Sequence, residues 1–304
     1  MKVGVIGGGP AAVSAILWLE KFGVEVFWLN ETKLVGGMVR KTFNQVLDLP
    51  IQPHEDPRKI TSELEVLSRK LSTRMNVGCL EEICSSDGPV TLQYTQDGTT
   101  SAQEVAGVII ATGTSKRLLD VPGEAELLDS RVFQSASAHK DSYSGRKVAV
   151  IGAGDAAFEG ACLLAEGGAR VIVFVRADIS ARGEFVKRAA ELGVEVRNGT
   201  QVSGFKENST LEIQVESTQG AQTVEVDAAF VRIGVSPNLP IFTGQSPKVD
   251  REGYLWVDAN MNTSVPGIWA AGDVRSTILR SISTALGDGA LAAASAYASM
   301  TSRT

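Results

Sequence analysis

Two stretches of this 304-residue chain carry glycines at the spacing that cradles a diphosphate. Lys2-Val-Gly-Val-Ile-Gly-Gly-Gly-Pro-Ala-Ala12 returns as Lys147-Val-Ala-Val-Ile-Gly-Ala-Gly-Asp-Ala-Ala157, so Gly7-x-Gly9-x-x-Ala12 is matched by Gly152-x-Gly154-x-x-Ala157. In such a sequence the first glycine makes a tight strand-to-helix turn and the second lets the backbone approach a pyrophosphate. The third small residue lets helix and strand pack closely. The anion then rests on free N–H groups at the positive end of the helix. Pro10, Ala11 and Ala12 form that end in the first copy, Asp155 and Ala156 in the second. Pro10 suits a first helical turn, where no N–H bond is lost.

The elements that position these turns are legible on either side of them. Each glycine run follows a short β-branched stretch that reads as a buried parallel strand. After the first, Ala11–Phe22 reads as a helix closed by Gly23, and Val24–Leu29 as the next strand. After the second, Ala156–Glu166 is closed by Gly167-Gly168, and Ala169–Val175 follows as a strand. The pattern predicts an α/β fold with two Rossmann-like units. The second strand of such a unit usually ends in an acidic residue for the ribose hydroxyls. Here Asn30 stands at that end with Glu31 next, and both are candidates for the contact.

Composition narrows the function classes. A formal net charge of −6 argues against nucleic acid, whose phosphates demand a basic face. No apolar run reaches the roughly 18–20 residues of a membrane span, and Met1-Lys2 leads directly into the first strand rather than a signal peptide. A cytoplasmic protein without nucleic-acid or membrane partners is expected. Three scattered cysteines, Cys79, Cys84 and Cys162, and two histidines, His54 and His139, predict neither a disulfide scaffold nor a metal centre.

Over nearly its whole length the chain resembles the low-molecular-weight thioredoxin reductases. Gly36-Gly37-Met38 is similar to that family's Gly-Gly-Gln flavin segment, and Val46-Leu-Asp-Leu-Pro50 to Val-Glu-Asn-Tyr/Trp-Pro, with Asp48 at the Asn position. Ile109-Ile-Ala-Thr-Gly113 resembles the segment where the chain leaves the first domain, so Ala111, Thr112 and Gly113 join the candidate site. Val121-Pro-Gly-Glu124 follows, Ile233-Gly-Val-Ser-Pro-Asn238 resembles the return, and Ser264-Val-Pro-Gly-Ile-Trp-Ala-Ala-Gly-Asp-Val274 the second flavin signature. The resemblance implies two Rossmann-like (three-layer ββα) dinucleotide-binding domains, the second inserted in the first. The FAD domain is expected at 1–115 and 246–304, and the NAD(P)-binding-like insert at 116–245. It also implies that Gly37 and Met38 border the flavin, that Asp273 after Gly272 contacts the ribityl and pyrophosphate region, and that Arg280, Ser281 and Ile282 open a helix aimed at the flavin pyrimidine. A homodimer is implied as well.

The departures are as informative as the matches. Where disulfide-reducing members carry Cys-x-x-Cys, this chain has Ser135-Ala136-Ser137-Ala138. Neither Ser nor Ala can relay a disulfide, which needs sulfur. Cys79 and Cys84 are expected to be core or edge thiols of the first domain, and Cys162 to lie on the helix of the second unit. The family's His-Arg-Arg-x-x-x-Arg cluster for a 2′-phosphate is reduced to Val175-Arg176-Ala177-Asp178-Ile179-Ser180-Ala181-Arg182. Arg176 can pair with a phosphate, but NADPH, NADH and a second flavin nucleotide all stay open for Gly152 and Gly154. His139 is a candidate proton donor or acceptor, its imidazole titrating near neutrality. His54 lies in a loop near the expected flavin segment.

The reading is an FAD-dependent oxidoreductase that moves electrons between NAD(P)H and an external acceptor without a protein disulfide. Ferredoxin/flavodoxin–NADP reductases, which the chain also resembles, work in that way. One alternative takes electrons from a small carrier such as ferredoxin or uses a second flavin nucleotide. Lys116, Arg117, Arg131, Lys140, Arg146 and Lys147 near the domain crossover could steer such a carrier or be ordinary solvated surface. Another alternative is a non-catalytic flavin-binding regulatory protein.

Overall fold

A computed structural model describes residues 1–46, 49–50, 56–85 and 88–301. Among the described residues six helices form, α1 (Pro10–Lys21), α2 (Pro57–Lys70), α3 (Glu124–Leu127), α4 (Asp155–Glu166), α5 (Gly183–Glu191) and α6 (Ile282–Thr301). None is long and apolar enough to cross a membrane. The chain divides into a first unit, Met1–Ser115 with Ser236–Thr304, and an inserted unit, Lys116–Val235. The return comes earlier than the expected residue 246 because Ile241–Gly244 already pairs with Cys79–Ser85 of the first unit.

In the first unit Lys2–Ile6 lies between Glu25–Asn30 and Gly107–Ile110. Met75–Val77 and Ile268–Ala270 complete a five-stranded parallel sheet. Alternate side chains serve opposite faces, as a strand requires. Val3, Val5, Trp28 and Ile109 meet the helices, whereas Phe27, Leu29, Val108 and Ile110 meet Ile83 and Leu92 of a second, four-stranded sheet. The three layers are thus helices, parallel sheet and a largely antiparallel sheet.

The inserted unit repeats the plan. Its parallel sheet runs Glu195–Asn198, Arg170–Val175, Lys147–Ile151, Ala228–Val231 and Val132–Phe133. Val148, Val150 and Val173 pack on α4, and Ala149, Ile172 and Phe174 on the antiparallel meander of Gln201–Glu207, Leu211–Ser217 and Gly220–Val226. The α/β class and both strand–turn–helix units stand where the sequence puts them.

One packing contact sets the geometry of the first unit. α1 and α6 meet through small residues, Ala11 and Ala15 against Ala285, Gly289 and Ala292. A Cβ on Gly289 would lie 2.2 Å from the Ala11 carbonyl oxygen, so only glycine permits the approach. Ser14 Oγ donates to the Leu286 carbonyl at 2.7 Å across the same seam. Gly289→Ala must push backbone from backbone, and overpacking of this kind costs about 1–3 kcal/mol. Urea denaturation should show that loss, with a normal helix content in the folded protein.

Candidate functional site

The first unit holds a cleft of about 1050 Å³, at the large end for a bound small molecule. Its wall is built from the turn at Gly7–Ala11, the loop Asn30–Thr42, Ala111–Ser115, Pro237–Pro240 and the Ala271–Asp273 and Arg280–Ile282 segments. The cleft lies at the carboxyl ends of parallel strands, where open α/β sheets receive ligands.

Gly7 and Gly9 do different work. Gly7 sits at φ +123°, and a Cβ there would come within 2.3 Å of the Ala111 carbonyl oxygen. Its own carbonyl accepts a 2.7 Å hydrogen bond from the buried Trp28 Nε1, a contact the sequence does not announce. Gly9 has ordinary extended geometry, φ −80° and ψ −179°, and a Cβ on it meets nothing within 4 Å. Gly7 therefore serves the fold, whereas Gly9 keeps space open. Among the described residues no side chain caps α1, which leaves its first-turn N–H groups to an anion.

Asn30 turns out to organise a loop. Its Nδ2 donates to the carbonyls of Thr32 at 2.7 Å and Leu34 at 3.2 Å, and the Gly36 amide donates to the Gly8 carbonyl at 2.7 Å. The loop carrying Gly37 and Met38 is thereby held against the glycine turn. Glu31 stands exposed at the same edge of the cleft. Thr112 also has a structural engagement. Its Oγ1 donates to the Asn238 carbonyl at 2.6 Å, and Asn238 Nδ2 donates back to the Thr112 carbonyl at 3.0 Å. Asp48 and His54 fall outside the described residues.

Asp273 follows Gly272, whose φ is +76° and whose Cβ would press Ala11 Cβ at 2.9 Å. Burial pushes the Asp273 carboxyl above the usual range, while the guanidinium groups of Arg280 and Arg275 pull it back. The turn is anchored by a buried pair, Arg275 and Asp288. Arg275 Nε and Nη2 donate to the two Asp288 oxygens at 2.6 and 2.8 Å, and the Gly272 amide donates to Asp288 at 3.1 Å. Neither residue stands out in the sequence. The available signal was a lone carboxylate flanked by glycines, Gly287-Asp288-Gly289, in an alanine-rich helix.

Beyond that anchor, the Arg280 guanidinium lies over the Tyr254 ring at 4.0 Å, and its Nε is buried without a hydrogen-bond partner among the described residues. Ser281 and Thr284 cap α6 reciprocally. Ser281 Oγ accepts from the Thr284 amide at 3.1 Å, and Thr284 Oγ1 from the Ser281 amide at 3.1 Å. Ser281 and Ile282 place this second helix start on the cleft wall.

In the inserted unit Gly152 has φ +148° and abuts the Arg232 carbonyl oxygen, which a Cβ would approach to 2.3 Å. Gly154 precedes α4, which opens with Asp155 and Ala156. Asp155 is engaged by the Arg182 backbone amide and Nε, which hold its carboxyl below the usual range. Arg176 is exposed after the strand. Where the resemblance places a dithiol stand Ser135 and Ala138, and Ser135 Oγ accepts from the Ala138 amide at 3.4 Å and lies 3.3 Å from Ser137 Oγ. Cys79 is exposed at the cleft edge, Cys84 is half-buried, and Cys162 is buried on α4 with its Sγ towards the Phe185 carbonyl. Burial raises all three thiol pKa values. Several basic residues near the crossover are engaged, Arg131 with Glu207 and Arg146 with Asp227.

His139 packs on Phe133, ring centroids 4.2 Å apart, in a cluster with Phe230. Burial lowers its pKa from 6.5, against the pull of Asp129.

A two-unit α/β protein with a dinucleotide cleft is the class this geometry defines. Residues 1–289 match the pyridine nucleotide-disulphide oxidoreductase family, and the chain belongs to it. It is 29% identical over 306 residues to a thioredoxin reductase of Peptoclostridium litorale, covering 97% of this chain and 95% of that one. It is also 29% identical over 300 residues to a 34.2 kDa protein in the rubredoxin operon of Clostridium pasteurianum, with 95% and 94% covered. The thioredoxin reductase structure from Lactococcus lactis shares the fold, with a TM-score of 0.83 at 24% identity and 99% of each chain covered.

Two outcomes follow from this geometry. Gly9→Val should fold with near-normal stability yet purify without the cleft's ligand, whereas Gly7→Val should fail to fold stably; absorbance and thermal melting separate them. For His139, the depressed folded pKa means its contribution is complete above pH 6.5 and is lost as pH falls below that value. Chemical denaturation at pH 7.5 and 5.5 should therefore show a shallower acid loss for His139→Phe than for the parent protein.

Proposed function

We propose that this chain is an FAD-dependent oxidoreductase whose first unit holds FAD and whose inserted unit binds a nicotinamide dinucleotide. Electrons pass to an external acceptor without a protein disulfide. The observation that carries the reading is the convergence of two helix starts, those of α1 and α6, on one cleft whose wall includes Arg280, its Nε buried and without a hydrogen-bond partner among the described residues. Helix N-termini favour negative charge, and an orphaned buried donor calls for an acceptor.

The residues present fit FAD. Gly9, Ala11 and Ala12 would hold the pyrophosphate, Asp273 the ribityl side, and Arg280, Ser281 and Ile282 the ring-system end. FAD, when bound, supplies two-electron chemistry that the side chains of this cleft do not offer. The Arg275–Asp288 pair keeps the Gly272–Asp273 turn in place, and the Asn30 amide keeps the Gly37–Met38 loop against the glycine turn.

The disulfide-free route is supported by the cysteines. Positions 135 and 138 hold Ser and Ala, and the three thiols present are scattered over Cys79, Cys84 and Cys162. Their raised pKa values keep them protonated, hence poor nucleophiles, at neutral pH.

The purified protein should show a flavin absorbance band that bleaches on anaerobic mixing with a reduced nicotinamide nucleotide. A Cys79→Ser/Cys84→Ser/Cys162→Ser triple variant should bleach, and reduce an artificial dye acceptor, within about twofold of the parent rate. A colourless protein that takes up no FAD would overturn the cofactor assignment. Loss of nearly all dye reduction in the triple variant, with its flavin retained, would overturn the disulfide-free route.

A further inference from the structure

The two glycine turns are followed by different charged surroundings, and in the inserted unit the difference bears on which coenzyme it accepts. Arg176 and Arg182 are the two guanidinium groups carried by the segment that follows the Arg170–Val175 strand, at whose end the adenosine ribose of a Rossmann-bound dinucleotide lies. Of these two, Arg176 is exposed and forms no ion pair among the described residues.

Arg182 is held from several sides. Its backbone amide and Nε donate to the two Asp155 oxygens, each at 2.7 Å. Its Nη1 lies 3.0 Å from Glu184, and its guanidinium carbon stands 4.7 Å from the Phe185 ring centroid. The loop that carries it is pinned as well, because the Ser180 and Ala181 amides both donate to the Ala153 carbonyl, at 2.9 and 3.0 Å. Ala153 lies inside the glycine turn itself. Arg182 therefore cannot turn to a ligand without leaving two carboxylates behind.

Asp178 supplies the complementary feature. It is exposed two positions beyond Arg176, on the same short loop, with no ion pair among the described residues. Asp155, Asp178 and Glu184 against Arg176 and Arg182 leave one net negative charge around this end of the site. A 2′-phosphate would bring up to two more, met by a single solvated guanidinium. Ribose hydroxyls, in contrast, are donors that a free carboxylate can accept.

We propose that the inserted unit is selective for NADH over NADPH, with Asp178 accepting from the adenosine ribose and the Asp155–Arg182 latch withholding the guanidinium that a 2′-phosphate would need. This rests on the reading that the inserted unit takes a nicotinamide dinucleotide. Asp155 thus acts as a specificity-determining residue from the first turn of α4, and it does so by occupying a cation.

The test is calorimetric titration of the flavin-loaded protein with NAD⁺ and with NADP⁺, which bind without reducing the flavin. NAD⁺ should bind about tenfold or more tightly than NADP⁺, the scale of one charge-assisted hydrogen bond to phosphate. Asp155→Ala should release Arg182 and raise NADP⁺ affinity about fivefold or more while NAD⁺ affinity shifts less, which also shows that the variant is folded. Asp178→Ala should weaken NAD⁺ and strengthen NADP⁺. Equal or tighter NADP⁺ binding by the parent protein, or no gain for NADP⁺ in Asp155→Ala, overturns the selectivity while flavin reduction by a nicotinamide nucleotide leaves the proposed function standing. Binding of neither nucleotide, with no bleaching by NADH or NADPH, overturns both.

Discussion

Gly289 against the Ala11 carbonyl is the contact on which the rest of the first unit depends. At that point two helices approach so closely that a single methyl would collide with backbone. The approach matters because of where the helices begin. α1 opens at the Gly7–Gly9 turn and α6 at Ser281, and a seam of alanines and glycines is what allows both starts to reach the same cleft. Bulkier packing residues would stabilise each helix by burying more surface, but they would also separate the two N-termini. Close approach is favoured here at the expense of side-chain volume, and the polar link from Ser14 to the Leu286 carbonyl recovers part of the lost contact.

The same seam fixes the charges. Gly272 passes so near Ala11 that a Cβ on it would come within 2.9 Å of the Ala11 Cβ, so the Asp273 turn is carried on the α1–α6 seam too. Asp288, one residue before Gly289, ties that turn to Arg275. A buried ion pair of this kind is weak evidence for net stability, because desolvation offsets much of the attraction. Its value is positional. It consumes the charge of Arg275 and leaves Arg280, stacked on Tyr254, as a cation of the cleft wall beside the α6 start. Two helix starts and the Arg280 guanidinium make a surface for an anion, and Asp273 is a carboxylate set beside them, its ionisation resisted by burial.

What the sequence made legible follows from the range of the interactions. The glycine turns, their helices and the flanking strands are local patterns of a dozen or so residues, and the structure places them as read, Pro10–Lys21 and Asp155–Glu166 included. Contacts between residues distant in the chain were not legible. Trp28 binding the Gly7 carbonyl, Asn238 clamping Thr112 and Asp288 holding Gly272 each depend on a fold that must form first. Asn30 is the instructive case between the two. Its position at a strand end made it a candidate for a ribose contact; it lines the cleft, and its amide hydrogens face the carbonyls of its own loop. The return into the first unit at Ser236 was misplaced for a similar reason, since the pairing of Ile241–Gly244 with Cys79–Ser85 joins segments far apart in sequence.

Duplication of one device in a single chain lets its two copies be compared directly. In the first, Pro10 opens the helix, no side chain among the described residues caps its N-terminus, and the neighbouring loop is held against the turn by the Gly36 amide on the Gly8 carbonyl. In the second, a carboxylate occupies that opening position, and the neighbouring loop is drawn onto the turn through the Ala153 carbonyl. Backbone geometry is nearly conserved, as Gly7 at φ +123° and Gly152 at φ +148° both show. The electrostatics are not. An aspartate at the start of α4 is favourable for the helix itself, since it meets the positive end of the dipole, and for the same reason it competes with any anionic ligand there. Arg182 resolves the conflict by neutralising Asp155, which restores the helix start to a dinucleotide's pyrophosphate but leaves no second guanidinium over. The helix start and the phosphate of a ligand draw on the same few cations, and the copy that satisfies the former internally has fewer to offer the latter.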